Sequence, residues 1–209
     1  MIKKLTIVCS LLVSARSFAQ VKSTLAAGDT LLRDSELKAK VYGDAPFRLT
    51  NNITGKTVVY TSSAPSVATI KGDTVTIVGA GNTNITATIA SDTSTTKKLT
   101  VYKKNLDVTT PNVWRVQGTK NPSFVLIYSG FVNGDDVNDL DSKPVAICNA
   151  NASSPPGQYA ISIMGGSSTK YNFWFDPAPK LTVVGVSLND ESENISLFPN
   201  PASDNVSIS

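Results

Sequence analysis

Residues 57–89 read TVVYTSSAPSVATIKGDTVTIVGAGNTNITATI, and this stretch decides the fold. Thr57-Val58-Val59-Tyr60-Thr61 is dense in branched and aromatic side chains, which suit a pleated, half-buried surface. Ser62-Ser63-Ala64-Pro65 turns the chain into Val67-Ala68-Thr69-Ile70. Lys71-Gly72-Asp73 closes a tight hairpin onto Thr74-Val75-Thr76-Ile77-Val78, whose alternation puts Val75 and Ile77 on one face. Gly79-Ala80-Gly81 supplies a positive-φ corner, and Asn84-Ile85-Thr86-Ala87-Thr88-Ile89 alternates again. Tyr42-Gly43-Asp44-Ala45-Pro46 is a turn upstream, and Leu99-Thr100-Val101-Tyr102 a strand downstream. Short strands at this spacing predict a small β-sandwich over residues 40–103.

Residues 105–184 carry a second strand-rich block. Trp114-Arg115-Val116-Gln117-Gly118 and Asn121-Pro122 lead into Phe124-Val125-Leu126-Ile127-Tyr128, read as a strand. Asp135 or Asp136 can cap a single helical turn through Leu140, because a carboxylate accepts from the unpaired N–H groups of a first turn. Pro144 then forces extension, and Val145-Ala146-Ile147-Cys148 returns as a strand. Tyr159-Ala160-Ile161-Ser162-Ile163 alternates, Gly165-Gly166 bends the chain, and Tyr171–Phe175 and Lys180–Val184 supply the closing strands. Residues 20–39 read as a leader whose only strong apolar pair is Leu31-Leu32; a helix from Thr30 to Lys38 would have a weak apolar face. Residues 185–194, with Asp190, Glu191 and Glu193, read as a linker. The expectation is a mainly all-β chain of two small domains with one short helix in the second.

Lys3 and Lys4 precede an apolar run from Leu5 to Val13, and Ser17-Phe18-Ala19 places small residues where a signal peptidase reads them. This predicts a signal peptide over residues 1–19, cut after Ala19. The run falls short of the about 20 apolar residues an anchor needs, so no membrane segment is expected once it is removed. Cys9 sits too early in the run for a lipoprotein anchor. The chain has 19 Lys plus Arg against 16 Asp plus Glu, and losing Lys3, Lys4 and Arg16 leaves 16 against 16. A neutral chain has no electrostatic footprint for nucleic acid or an anionic membrane. The chain has no His and, after cleavage, a single Cys, Cys148, which removes the usual transition-metal clusters, the commonest general base and any internal disulfide. No cofactor is expected, and Cys148 reads as a small buried hydrophobe.

Chemistry has few candidates. Asp135, Asp136, Asn138, Asp139 and Asp141 offer hard oxygen ligands for calcium, but they lack the glycine and the bidentate Glu of an EF-hand loop, so capping and a solvated turn are the reading adopted. No carboxylate pair is marked for glycoside hydrolysis. Trp114, Phe173, Trp174 and Phe175 concentrate the aromatics. Phe173 and Phe175 share a strand face that must help fill a core, which turns Trp174 outward as the residue for carbohydrate contact. Asp29-Thr30-Leu31 and Asp73-Thr74-Val75 fit a short Asp-Thr-apolar pattern that resembles the O-glycosylation acceptor of one bacterial group.

Tyr42 to Phe47, Tyr60 to Thr69 and Val78 to Gly81 resemble the bacterial immunoglobulin-like modules that occur in tandem on surface proteins of the Bacteroidota, which implies an Ig-like sandwich; Ala64 stands where those modules usually have Asn or Asp. Tyr128 to Asp136, Pro155 to Tyr159 and Tyr171-Asn172 resemble the MBG-type (YGX-like) surface module. That resemblance implies a β-grasp-like sheet crossed by one short helix, although its opening Tyr-Gly is Gln117-Gly118 here. Leu197, Phe198, Pro199, Asn200, Pro201, Ala202 and Asp204 resemble the start of the type A sorting domain of type IX secretion cargo, incomplete over residues 195–209. Together the resemblances imply a secreted or cell-surface, non-enzymatic structural or adhesive protein. Its modules would act as spacers or weak binding surfaces, with the type IX machinery engaging the tail and a surface glycan or protein as ligand. The alternative is the accessory, carbohydrate-binding portion of a secreted hydrolase whose catalytic domain lies outside this chain.

Overall fold

Two short strands, β1 (Lys40–Val41) and β2 (Phe47–Arg48), precede the four announced by residues 57–89: β3 (Val58–Ser62), β4 (Ala68–Lys71), β5 (Thr74–Ile77) and β6 (Gly81–Ile89). Strand β7 (Thr93–Tyr102) follows, starting well before the apolar signal at Leu99 because its polar first half is held by the ladder to β6. The computed structural model describes residues 25, 27–89, 93–188 and 195–198. β4 and β5 pair from Ala68↔Ile77 to Lys71↔Thr74, so Lys71-Gly72-Asp73 is the hairpin turn the sequence predicts. One sheet runs β1-β7-β6-β3 and a second β2-β5-β4. The inward residues Tyr60, Val75, Ile77, Ile85, Ala87, Ile89, Leu99 and Val101 are all buried in one core shared by both sheets. At the corner Gly81 has φ 139, whereas Gly79 serves close approach: a Cβ there would lie 2.4 Å from the Ser66 carbonyl oxygen.

The described part of the leader belongs to this core. Leu31, Leu32 and Leu37 are 2%, 1% and 9% exposed, and no helix forms from Thr30 to Lys38. On a helix Leu31, Leu32 and Leu37 would point in three directions roughly 100° to 140° apart and share no face, so irregular backbone delivers them to one core instead. Side chains of the neighbouring loop satisfy that backbone: Thr30 N–H donates to Asn52 Oδ1 at 2.6 Å, and Asn52 Nδ2 donates to the Gly28 carbonyl at 2.8 Å. Thr50 N–H donates to Glu36 Oε2 at 2.8 Å, and Lys97 pairs with Asp34 at 2.7 Å. Each fully buried leucine contributes about 2 kcal/mol.

The second block adds β8 (Lys104–Thr109), β9 (Val113–Val116), β10 (Ile127–Ser129), a 3-10 turn (Val137–Asp139), β11 (Ser142–Cys148), β12 (Gly157–Ser167), β13 (Tyr171–Phe175), β14 (Lys180–Leu188) and β15 (Ile195–Phe198). These form a sheet ordered β10-β8-β13 and a sheet ordered β11-β12-β14-β15, with β9 also on β14. The pairings β8–β13 and β9–β14 are parallel. The all-β expectation holds. The short helix shrinks to the 3-10 turn, with Asp136 as its N-cap and Leu140 as its C-cap.

Two segments depart from the sequence reading. Only Ile127 and Tyr128 of the stretch 124–128 are strand, because Phe124 packs on the distal core while Tyr128 packs on the first, and a segment that crosses between cores cannot stay in one sheet. Gly185–Leu188, read as linker, instead prolong β14 and pair with β15, from Gly185↔Phe198 to Leu188↔Ile195. The signal peptide with Ala19 and the sorting residues Pro199, Asn200, Pro201, Ala202 and Asp204 lie outside the described residues, and Leu197 and Phe198 are placed in β15. No helix among the described residues is long and apolar enough to cross a membrane.

Candidate functional site

The first core does not stop at the boundary between the blocks. Leu106, Leu140 and Tyr171 are buried in it, and Tyr128, Phe131, Val132, Val137 and Phe173 pack against it. The contact is made by the Tyr42-Gly43 turn, which follows β1 and is tied to β7 by a Tyr42 N–H bond to the Tyr102 carbonyl at 2.8 Å. Gly43 has φ 95, and a Cβ there would lie 2.6 Å from Val132 Cγ2, so only glycine lets the turn close on the second block. The Tyr42 ring then meets Tyr171 edge-on at 5.6 Å, and Tyr171 meets Phe131 edge-on at 5.3 Å. Edge-to-face packing suits the ring quadrupoles and adds about 1 kcal/mol per pair beyond burial.

Asp135 sits at the centre of this joint. Tyr42 Oη and Tyr171 Oη each donate to Asp135 Oδ2 at 2.9 Å, and Lys170 Nζ lies 3.1 Å from Oδ1. The same ammonium stands 5.3 Å from the centroid of the Tyr42 ring. Val132 N–H donates to Tyr171 Oη at 3.1 Å, so both phenols have their polar ends satisfied. Burial opposes the charged carboxylate, but the hydrogen bonds from Tyr171, Tyr42 and Lys170 outweigh it and hold Asp135 below its ordinary 3.8. Burial likewise opposes charge on Lys170, and the bonds to Asp135 and Tyr42 outweigh it, raising the amine above 10.5. Burial is the main cause that raises the Tyr171 hydroxyl, with Asp135 adding to it. Asp135 and Lys170 therefore stay ionised across the neutral range. A carboxylate stabilised in this way is a poor proton acceptor, and its chemistry here is that of a clamp.

A second polar network holds the far end. Arg115, 4% exposed on β9, donates from Nε to Asn121 Oδ1 at 2.7 Å, from Nη1 to the Val116 carbonyl at 3.2 Å, and from Nη2 to the Asn151 carbonyl. Asn121 Nδ2 donates on to the Ala150 carbonyl at 2.7 Å. These bonds border the distal core of Ala150, Ile161, Leu181 and Val183, against which Val113, Phe124, Ala146, Cys148 and Tyr159 pack.

The residues singled out from sequence are dispersed. Trp174 is 68% exposed, opposite Asp107 in the β8–β13 ladder, while Phe173 and Phe175 stack at 5.9 Å on the other face. Trp114 is 54% exposed on β9, in a different sheet, so the aromatics do not form one patch. The acidic stretch is divided: Asp136 accepts from Asn138 N–H at 2.7 Å, Asp139 accepts from Asp136 N–H at 2.8 Å, and Asp135 goes to the joint. Thr74 of the Asp-Thr-apolar pattern donates to Asp73 at 3.2 Å, and Leu31 of the other copy is buried. Cys148 is a free, half-buried thiol. Sequence reasoning missed Tyr42, Lys170 and Tyr171 as partners of Asp135. The one local signal was a Tyr before a Gly whose backbone needs left-handed φ.

Residues 106–183 match the family model of the MBG domain (YGX type). The MBG-type domain thus begins inside β8 and ends in β14, and it supplies Asp135, Lys170 and Tyr171 to the joint. No curated protein matches the chain. Among solved structures, domains 5-6 of the S-layer protein SbsC are similar over 68% of this chain and 97% of that chain, at 16% identity and a TM-score of 0.28.

Proposed function

We propose that this chain is a secreted or cell-surface structural protein without catalytic activity, in which the first sandwich and the MBG-type domain form one stiff unit that spaces or presents a binding surface. The observation that carries the reading is the joint. A shared core, three packed rings and a carboxylate held by two phenols and an ammonium resist hinge motion at this boundary. A flexible pair of modules would need none of these. The non-catalytic part is supported by Asp135, a half-buried carboxylate whose charge is stabilised and whose neighbours occupy both of its oxygens. Export by general secretion rests on residues 1–19, and transfer to the surface by type IX secretion on the motif at Leu197–Asp204.

Small-angle scattering of the purified chain, compared with Gly43→Val, tests the spacer reading. The wild-type curve is expected to fit a single rigid shape, and the variant to need a distribution of shapes. A wild-type curve that needs the same distribution as Gly43→Val overturns the stiff-unit reading. For export, a fusion retaining residues 1–19 and 195–209 is expected on the cell surface, and unchanged surface display after removal of 195–209 ends the proposal that the tail is read by that machinery.

A further inference from the structure

We infer that the groove across the joint, running from Tyr102 to Trp174, binds a neutral oligosaccharide. The inference names a ligand class for the binding surface proposed above and rests on that reading. The groove contains a cavity of about 360 Å³ lined by Asn82, Thr100, Tyr102, Lys103, Thr169 and Asn172. Both blocks contribute to it: Asn82 to Tyr102 come from the first, and Thr169 and Asn172 from the MBG-type domain. Beyond the cavity, Trp174 lies two residues past Asn172 on the same face of β13.

The two ends are exposed aromatic rings, Tyr102 at 60% and Trp174 at 68%. Between them the outward residues of the β8–β13 ladder are Asn105 opposite Asn172 and Asp107 opposite Trp174. Trp174 is level with Asp107 on the neighbouring strand, five residues beyond Tyr102, so the two backbones are at most about 22 Å apart by strand rise plus one strand spacing. That length suits a few linked sugar rings.

The chemistry selects sugar over other ligands. A π face takes the apolar C–H face of a pyranose, and amides and hydroxyls exchange hydrogen bonds with its rim. A flat apolar partner would desolvate Asn105, Asn172 and Asp107 with nothing to pair them, which is costly. An anion finds no uncommitted cation in the cavity, because Lys103 Nζ donates to the Ser168 carbonyl at 2.6 Å and the adjacent Lys170 is clamped to Asp135. Asn82 Oδ1 already accepts from Thr100 Oγ1 at 2.9 Å, which fixes its amide with the N–H groups turned to donate. The groove is assembled only while the joint holds, so the clamp acts as its positioning device.

Affinity electrophoresis of the purified chain through gels containing soluble β-glucan, α-mannan or xylan, supported by a glycan array, tests the inference. Retardation by at least one neutral polysaccharide is expected. Trp174→Ala and Tyr102→Ala should each weaken it at least tenfold with an unchanged melting temperature, Trp114→Ala should leave it unchanged, and Gly43→Val should abolish it. No retardation and no array signal, retention by anionic polysaccharide alone, or retention indifferent to both Trp174→Ala and Tyr102→Ala overturns the inference. Scattering on the same samples separates the two proposals. A rigid chain that retains no glycan sinks the groove alone, whereas a flexible wild type sinks the spacer.

Discussion

The two cores formed by the described residues differ in how they are closed. The first gathers leucines from the leader, the alternating strands of the sandwich and the rings of Tyr42, Phe131 and Tyr171, so apolar burial seals it across the block boundary. The distal core has four buried members and is bordered by a buried arginine that reaches the backbone of the loop at Asn151. The boundary drawn along the chain is therefore not the boundary in packing. Part of the MBG-type domain packs in the first core, and the seam between the two cores runs through that domain.

The hardest test of this division is Tyr171→Ala. Loss of a ring that is 2% exposed should cost about 4 kcal/mol, and both blocks should melt together, as seen by urea unfolding followed by Trp fluorescence and by far-ultraviolet dichroism. Non-coincident transitions in the wild type would mean that the two blocks unfold independently and that the joint does not couple them. Arg115→Leu should cost about 2 kcal/mol, chiefly by leaving the half-buried Asn121 Oδ1 without its donor, while the Val116 and Asn151 carbonyls keep the N–H groups of Thr119 and Ser154. Its effect should concentrate on amide exchange around Ala150, Ile161 and Leu181, and equal loss of protection at Ile85 and Leu99 would remove the seam.

Asp135→Asn should cost about 1 kcal/mol at neutral pH, since it keeps the acceptor oxygen but loses the charge facing Lys170. The sign with pH is fixed. Asp135 is held below 3.8, so its contribution is present above about pH 4 and is lost as pH falls through the lowered value. Lys170 is raised above 10.5, so its contribution is present below that value and is lost as pH rises through the raised one. Wild type minus Asp135→Asn stability should then be flat between those limits and shrink beyond each, and a difference that grows in acid would contradict the clamp. The smallest effect belongs to Trp174→Ala, within about 0.5 kcal/mol by thermal melting, because the ring is mostly in water.

Alternation was legible wherever one face meets a core and the other meets water. Val75 and Ile77 are 0% and 4% exposed, and Phe173, Trp174 and Phe175 divide between faces as their order demands. The cap at Asp136 was equally local. Leu31, Leu32 and Leu37 were illegible because their burial follows no period, and β8 was missed because Leu106 and Val108 give too short a signal. Of the joint, the residues by themselves marked Tyr42 as a turn residue and Asp135 as a cap or a calcium-ligand candidate, and paired neither with the other.

The amino-acid order by itself determined that this chain is built of strands, where most of them lie, and that Trp174 faces outward, because these depend on neighbours two residues apart. Only the tertiary structure decided the parallel pairings, the reach of the first core into the MBG-type domain and the clamp on Asp135. The physical reason is separation: Tyr42 and Asp135 are 93 residues apart, and no local pattern encodes which distant hydroxyl will meet a carboxylate once both are removed from water.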